Sequence, residues 1–324
     1  MRHFCTIFDK NYLYQGLALY NSLRGVESDF KLYVLCMDKC SYKVISDLDY
    51  SNFVPVKLQN INTNEVAAIR KKTNYGQFCW VCQPLICEYL LDKHDIDMVT
   101  YLEADSMFFS SYEVLFDEMG DKSVTLSPHN YPRDNDQSET AGNFCTQFNA
   151  FKNDACGRRV LADWKRLCFM YDKNKPKYYP GQLLLNDWPK KYDCVKVLKN
   201  IGAGVAPWNI DSYDFQCEDG KLKVNNFPII FYHYHSYARY KNGKHDLGNY
   251  KLNNNVIRYI YGAYVNSIRQ SESVVQDFNR DFKYRRVIKR SIIREVVIII
   301  KRIINRGHSN VFKDCHFSKK SEVK

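Results

Sequence analysis

The sequence predicts an α/β protein built on an open sheet of parallel strands, and three observations carry that expectation. Short apolar runs alternate along the chain with segments whose apolar residues recur at helical spacing. The 324 residues are 45% hydrophobic and 15% aromatic, enough to bury a full core and to exclude a disordered chain. Acidic residues follow the strand-like runs at Asp9, Asp38 and Glu103-Ala104-Asp105. In open α/β sheets that carboxyl edge is where ligands bind.

The first strand spans residues 4–8, Phe4-Cys5-Thr6-Ile7-Phe8. From Asn11 to Leu23 the residues Leu13, Gly16, Leu17, Leu19, Tyr20 and Leu23 fall at helical spacing. A second strand covers 31–36, a polar helix lies near 41–48, and a short strand covers 54–58. Residues 76–91 predict an apolar helix through Phe78, Val81, Leu85, Ile86, Tyr89 and Leu90. Cys79-x-x-Cys82 lies on that helix with no second Cys/His pair at zinc spacing, so it reads as helix packing. The strand at 98–102 then delivers the acid pair. The second half is less regular: a strand at 146–151, a helix at 157–171, and strands at 195–198 and 228–234. Polar stretches at 140–144 and 172–181 predict loops bordering an acceptor cleft. The division expected is a domain over 1–250 and a helical extension over 251–324.

Glu103 and Asp105 are the chemically telling pair. Residues i and i+2 of a strand point to one side, so both carboxylates are expected to converge beyond the sheet edge. Two carboxylates that close repel unless a cation lies between them. Mg²⁺ and Mn²⁺ take oxygen ligands of this kind, usually with phosphate oxygens completing the shell. A solvated acid-x-acid in a loop is the ordinary alternative, and the strand context weighs against it. By the same period-two argument His233 and His235, at the end of Phe231-Tyr232-His233-Tyr234-His235, face one way. A neutral imidazole there completes a carboxylate metal site.

The net charge of +11 is concentrated in the tail: from Arg285 to Lys324 there are 12 Lys/Arg and 3 Asp/Glu. Between Arg290 and Ile304, Ile292, Ile293, Val296, Val297, Ile299, Ile300, Ile303 and Ile304 share a broad face opposite Arg290, Arg294, Glu295, Lys301 and Arg302, with Ile298 misplaced among the latter. That pattern predicts a basic amphipathic helix suited to an anionic membrane surface. A strand, or a helix packed on the body, is the competing structural reading. The near-neutral body and the mixing of basic with isoleucine-rich residues argue against a nucleic-acid partner. The 12 cysteines are scattered and no long apolar leader precedes the first strand, so free thiols in a reducing cytoplasm are expected.

Several stretches resemble nucleotide-sugar-dependent glycosyltransferases of the GT-A type, close to bacterial surface-polysaccharide enzymes and more distantly glycogenin-like. They are Thr6-Ile7-Phe8-Asp9-x-x-Tyr12-Leu13, Tyr101-Leu102-Glu103-Ala104-Asp105-Ser106, Phe144-Cys145-Thr146-Gln147-Phe148-Asn149-Ala150-Phe151, Gly181-Gln182-Leu183-Leu184-Leu185-Asn186-Asp187-Trp188, Gly202-Ala203-Gly204-Val205-Ala206-Pro207-Trp208-Asn209, and His233-Tyr234-His235. The resemblance implies a GT-A Rossmann-like fold over roughly the first three quarters of the chain. It implies a hexosyl- or N-acetylhexosaminyltransferase using a nucleoside diphosphate sugar, expected to be UDP-linked, with retention.

On that resemblance the Asp-x-Asp acids hold Mn²⁺ or Mg²⁺, so Glu103, Asp105 and His233 are the expected metal ligands. Phe8, Asp9, Tyr12, Glu103 and Arg239 are expected at the nucleotide. Arg239 stands where a Lys commonly touches the diphosphate, and its planar donor fork suits that task. Gln182 and Asn149 are expected at the reacting face of the sugar, and Trp208 and His235 on the acceptor side. The acceptor implied is a glycan or lipid-linked hydroxyl, with the enzyme peripheral on the inner face of the membrane. Two positions depart from the pattern: the first acid is Glu103 rather than Asp, and Gly181 replaces an Asp. They leave a catalytically impaired, membrane-associated sugar-nucleotide scaffold as the rival reading. A nucleotidyltransferase is disfavoured because Phe8-Asp9-Lys10-Asn11-Tyr12 has no glycine for a phosphate loop.

Overall fold

The computed structural model describes residues 1–171, 181–240, 243–278, 300 and 310–317. Strand β1 (Arg2–Phe8) is buried on both faces from Phe4 onward, as the apolar run Phe4-Cys5-Thr6-Ile7-Phe8 requires. Helix α1 (Leu13–Val26) leads to β2 (Phe30–Cys36), and α2 (Lys39–Leu48) leads to β3 (Phe53–Lys57). β1 and β2 pair in parallel from Arg2↔Phe30 to Phe8↔Cys36. Helix α3 (Asn64–Lys72) and the long α4 (Tyr75–Lys93) precede β4 (Met98–Leu102), which lies parallel to β1 on its other side.

After β4 the chain makes a tight turn into β5 (Ser106–Phe108) and then α5 (Glu113–Met119). Next come β6 (Val124–Pro128), the single turn α6 (Ser138–Ala141), β7 (Phe144–Cys145) and β8 (Phe148–Lys152). Helix α7 (Ala155–Phe169), α8 (Trp188–Lys191) and β9 (Val195–Val197) follow. The main sheet runs β3-β2-β1-β4-β8-β6-β7, with β9 added beside β6. The expected parallel pairing holds from β3 to β4. It gives way at β8, which is antiparallel to β4, and at β6, which is antiparallel to β8.

A second sheet positions the site. It joins β10 (Ala203–Val205), β14 (Phe231–His233) and β5, in the order β10-β14-β5. Between them β11 (Phe215–Glu218), β12 (Lys221–Val224) and β13 (Phe227–Pro228) form an antiparallel meander. The strand expected over 228–234 is therefore divided: Phe227–Pro228 pairs with β12, and Phe231–His233 pairs with β5.

Side-chain alternation along β1 splits the core. Phe4 and Phe8 join the cluster beneath α1, while Cys5 and Ile7 join the cluster beneath α4 and α7. In the second cluster Trp164 and Trp188 meet edge to face at 5.6 Å, with Trp164 stacked on Phe151. Residues beyond 250 also enter the first cluster. Val256–Tyr261 forms a wide helical turn leading into α9 (Gly262–Phe278), and Tyr264 stacks on Tyr234 at 3.6 Å. A last sheet joins β15 (Ala238–Arg239), β16 (Lys244–Asp246) and β17 (Val311–Lys313).

The basic amphipathic helix expected between Arg290 and Ile304 lies outside the described residues apart from Ile300. Among the described residues no helix is long and apolar enough to cross a membrane. One cysteine expectation is corrected: Cys156 at the start of α7 is disulfide-bonded to Cys194, and ten other cysteines are free. The two partners are 38 residues apart with no spacing signature, so sequence alone offers no reason to pair them.

Candidate active site

The acid turn and the late histidine meet because β5 and β14 pair. In their antiparallel register His233 lies opposite Ser106, and the Tyr234 amide donates to the Asp105 carbonyl at 2.8 Å. Asp105 Oδ1 and His233 Nε2 consequently lie 3.1 Å apart. The other ring nitrogen, Nδ1, is 3.1 Å from Gln147 Oε1. An amide oxygen only accepts, so Nδ1 carries a proton and Nε2 is aimed at the carboxylate. Burial works against charge on His233, but Asp105 overcomes it and holds the imidazole pKa well above its ordinary value.

Glu103 takes a different course from the one strand geometry implies. β4 stops at Leu102, and Glu103 to Ser106 form a turn closed by the Ser106 amide on the Glu103 carbonyl. The period-two rule lapses in a turn. The Glu103 carboxylate accepts from Thr146 Oγ1 and from Gln83 Nε2, the latter at 3.1 Å. Burial pushes its pKa up to about 7; His233 opposes the rise and Asp105 adds to it. The structure thus pairs Asp105 with His233 and ties Glu103 to Gln83 and Thr146. His235, expected to share the side of His233, follows the strand end at His233 and is exposed, with the two rings 5.9 Å apart.

These groups open on a cleft of about 660 Å³ at the carboxyl edge of β1 and β4. Phe8, Asp9, Tyr12, Glu103, Asp105, His233, Gln182 and His235 all line it. The Phe8 ring lies over α1 where Gly16 sits; a Cβ at Gly16 would be 2.2 Å from Phe8 Cε1. Asp9 caps the short turn Lys10–Tyr12 through the Asn11 amide at 2.8 Å and accepts the Tyr75 hydroxyl at 2.9 Å. Asp38 is likewise a helix cap, accepting the Ser41 amide at 2.7 Å.

Helix α4 supplies a wall that sequence reasoning missed. Asn74 and Gln77 form a reciprocal capping box that starts it. Tyr75, Cys79, Trp80 and Gln83 then face the cleft. The signal available was a polar and aromatic stripe at spacings of four, one and three on an otherwise buried helix. Beside Gln182, Cys145 is fully buried, its sulfur 3.4 Å from Gln182 Nε2 and 3.8 Å from His233 Nδ1. Burial pushes the Cys145 thiol up, but hydrogen bonds from His129 and His233 outweigh it and hold the thiol at about 6.

Three expected site residues lie away from the cleft surface. Arg239, on β15, is ion-paired with Glu272 of α9, because the β15–β16 pairing turns it towards that helix. We expect Arg239→Ala to destabilise the fold by about 1–3 kcal/mol while leaving nucleoside diphosphate affinity within twofold, read by thermal melts and calorimetry. A large affinity loss with unchanged stability would return Arg239 to the diphosphate. Asn149 is fully buried in β8 opposite Tyr101; with its amide oriented to donate, it reaches the Cys145 carbonyl at 3.2 Å and the Phe148 carbonyl at 3.0 Å. It braces the turn that carries Cys145, Thr146 and Gln147. Trp208 is 6% exposed, and its indole N–H donates to the His129 carbonyl at 2.8 Å.

Among the described residues no three His, Cys, Asp or Glu side chains form a cation cage. Asp105 and His233 offer a carboxylate oxygen and an imidazole nitrogen side by side. That donor set fits a Mg²⁺ or Mn²⁺ ion whose remaining ligands come from phosphate and water, the usual arrangement for such ions at nucleotides.

This architecture is the GT-A fold of the glycosyltransferases. No protein-family model matches the chain. The uncharacterized protein YfnD of Bacillus subtilis (strain 168) is 26% identical over 288 residues, covering 86% of this chain and 93% of that protein. The structure of the galactosyltransferase LgtC in complex with donor and acceptor sugar analogs is similar over 85% of this chain and 95% of its own, at 14% identity and a TM-score of 0.53. The glycosyltransferase GlyE of Streptococcus pneumoniae TIGR4 is similar over 90% of this chain and 66% of its own, at 15% identity and a TM-score of 0.52.

Proposed function

We propose that the chain is a metal-dependent glycosyltransferase that moves a sugar from a nucleoside diphosphate sugar to an acceptor hydroxyl, with retention at the anomeric carbon. The observation that carries the reading is the Asp105–His233 pair at the end of β4, facing a cleft of nucleotide-sugar size within a GT-A fold. The two residues would hold Mn²⁺ or Mg²⁺. When bound, such an ion supplies Lewis-acid stabilisation of the charge that develops on the leaving diphosphate. His233 is fixed in orientation by the Gln147 amide oxygen at Nδ1, which leaves Nε2 directed at Asp105. Phe8, Asp9 and Tyr12 form the nucleotide end of the cleft. Gln182 presents its amide near the sugar's reacting face. Gly181 contributes no carboxylate there, so the proton of the acceptor hydroxyl passes to a phosphate oxygen of the leaving group.

The donor expected is UDP-linked, and the acceptor a glycan or a lipid-linked sugar. The test is hydrolysis of nucleotide sugars, from a panel of UDP-, GDP- and dTDP-linked hexoses and N-acetylhexosamines, with Mn²⁺ and with chelator. Turnover that requires the cation and is lost in Asp105→Ala supports the reading. No turnover together with retained sugar-nucleotide binding would favour the impaired scaffold.

The reading extends to location. The basic, isoleucine-rich stretch of the tail would hold the enzyme on the inner, anionic face of a membrane. Binding to vesicles containing anionic lipid is expected for the full chain, falling at least about tenfold at raised salt or when the chain is cut before Arg285. Equal binding by the cut chain would remove the membrane from the proposal.

A further inference from the structure

Trp80 is the largest side chain of the cleft wall that the reaction as proposed leaves unused. Its indole is 40% exposed, whereas Trp164, Trp188 and Trp208 are all buried. It stands on α4 one turn before Gln83, whose amide holds Glu103, and it lines the same cleft. Pro84 lies within α4 and has no N–H to donate to the Trp80 carbonyl four residues back. The helix continues through this point but lacks one backbone hydrogen bond where Trp80 meets the cleft.

Gly181 adjoins the ring. A Cβ built there would lie 3.7 Å from Trp80 Cε3 and 3.8 Å from Cζ3, in ordinary contact with the six-membered ring. The backbone at Gly181 is extended, with φ 166°, so conformation does not demand glycine. Among the described residues no other atom outside the chain neighbours lies within 4 Å of that position, so glycine leaves room beside the indole there. Gln182 follows directly, and its amide nitrogen reaches Cys145, which in turn touches His233. An indole, a glycine and an amide therefore succeed one another towards the Asp105–His233 pair. Thr140 and Ala141 line the same space.

We propose that Trp80 is a specificity-determining platform for the transferred sugar: its indole stacks on the apolar C–H face of the donor's pyranose ring, in room that Gly181 leaves open. This rests on the nucleotide-sugar reading of the same cleft. Stacking on an aromatic face tolerates a variety of hydroxyl arrangements, so the platform selects for a pyranose with one unbroken apolar face and leaves finer discrimination to Gln182 and its neighbours. The open position beside Gly181 accommodates a substituent on that ring.

The experiment compares calorimetric affinities, with Mn²⁺ present, of the nucleotide sugar that binds best in the panel above and of its nucleoside diphosphate. Trp80→Ala is expected to weaken the nucleotide sugar about five- to tenfold and the diphosphate less than twofold. Trp80→Phe should recover most of the loss. Gly181→Leu, which fills the space beside the ring, should reproduce the selective loss with Trp80 intact. Equal weakening of both ligands by Trp80→Ala, or no change in either, overturns the proposal. If wild-type protein binds neither the sugar nucleotides nor the diphosphates, the nucleotide-sugar reading itself falls, and this inference with it.

Discussion

Asp105→Ala is expected to reduce metal-dependent turnover by about 10²–10³-fold or more and to weaken nucleoside diphosphate binding in Mn²⁺. The side chain removed is the carboxylate proposed to hold the cation together with His233, whose Nε2 is 3.1 Å away. Its loss also leaves the buried His233 imidazole without the charge that raises its pKa. Alanine alone would confound these effects, so Asp105→Asn is the informative companion. Asparagine keeps the shape and retains a carbonyl oxygen towards His233, but it is neutral and a poor ligand for a hard cation. The asparagine variant should melt near the wild-type temperature, and both variants should lose Mn²⁺-dependent nucleotide affinity and turnover. Calorimetry with UDP in Mn²⁺ and in chelator separates the loss of metal from the loss of fold. A fully active Asp105→Ala protein would end the metal argument and leave the cleft to another chemistry.

The parts of this arrangement that the sequence made legible are those encoded locally. β1, β2 and β4 read correctly because strands buried on both faces are continuous apolar runs. The acid turn stood out because two carboxylates ended one of those runs. His233 was found because it closes a second run. What joins His233 to Asp105, however, is the pairing of β14 with β5, each three residues long. Strands so short carry no periodic signal, and their pairing is closed at its two ends by the Phe109 amide on the Ile230 carbonyl and the Tyr234 amide on the Asp105 carbonyl, both at 2.8 Å.

Glu103 shows the opposite failure. Strand geometry was extended one residue past the strand, and the turn sent its carboxylate to Gln83. Arg239 and Glu272 are brought together by a sheet and a helix that no local pattern relates. The α4 wall was obscured because most of that helix is buried, so Tyr75, Trp80 and Gln83 interrupt an apolar segment rather than forming a polar face.

The second large effect is expected at Trp208, where the sequence placed an acceptor contact and the structure shows a buried buttress. Trp208 packs edge to face on His233 at 5.3 Å and on His235 at 5.8 Å. Trp208→Ala is expected to cost about 3–5 kcal/mol of stability, the usual range for removing a buried Trp. The His129 carbonyl does not become an orphan, because Asn209 Nδ2 also donates to it at 2.9 Å. The cost therefore comes chiefly from the cavity and the lost ring contacts. Because His233 leans on that indole, Mn²⁺-dependent nucleotide affinity should fall with stability, while the acceptor KM changes little in the protein that remains folded. Trp208→Phe keeps an aromatic ring in the space and removes the N–H donor. It should lose about 1 kcal/mol for that bond, together with the smaller ring's packing deficit, and recover much of the nucleotide affinity. Urea denaturation gives the first quantity and calorimetry the second. If Trp208→Ala instead raised the acceptor KM alone, at unchanged stability and nucleotide affinity, the indole would have to reach the acceptor and the buttress role would be lost.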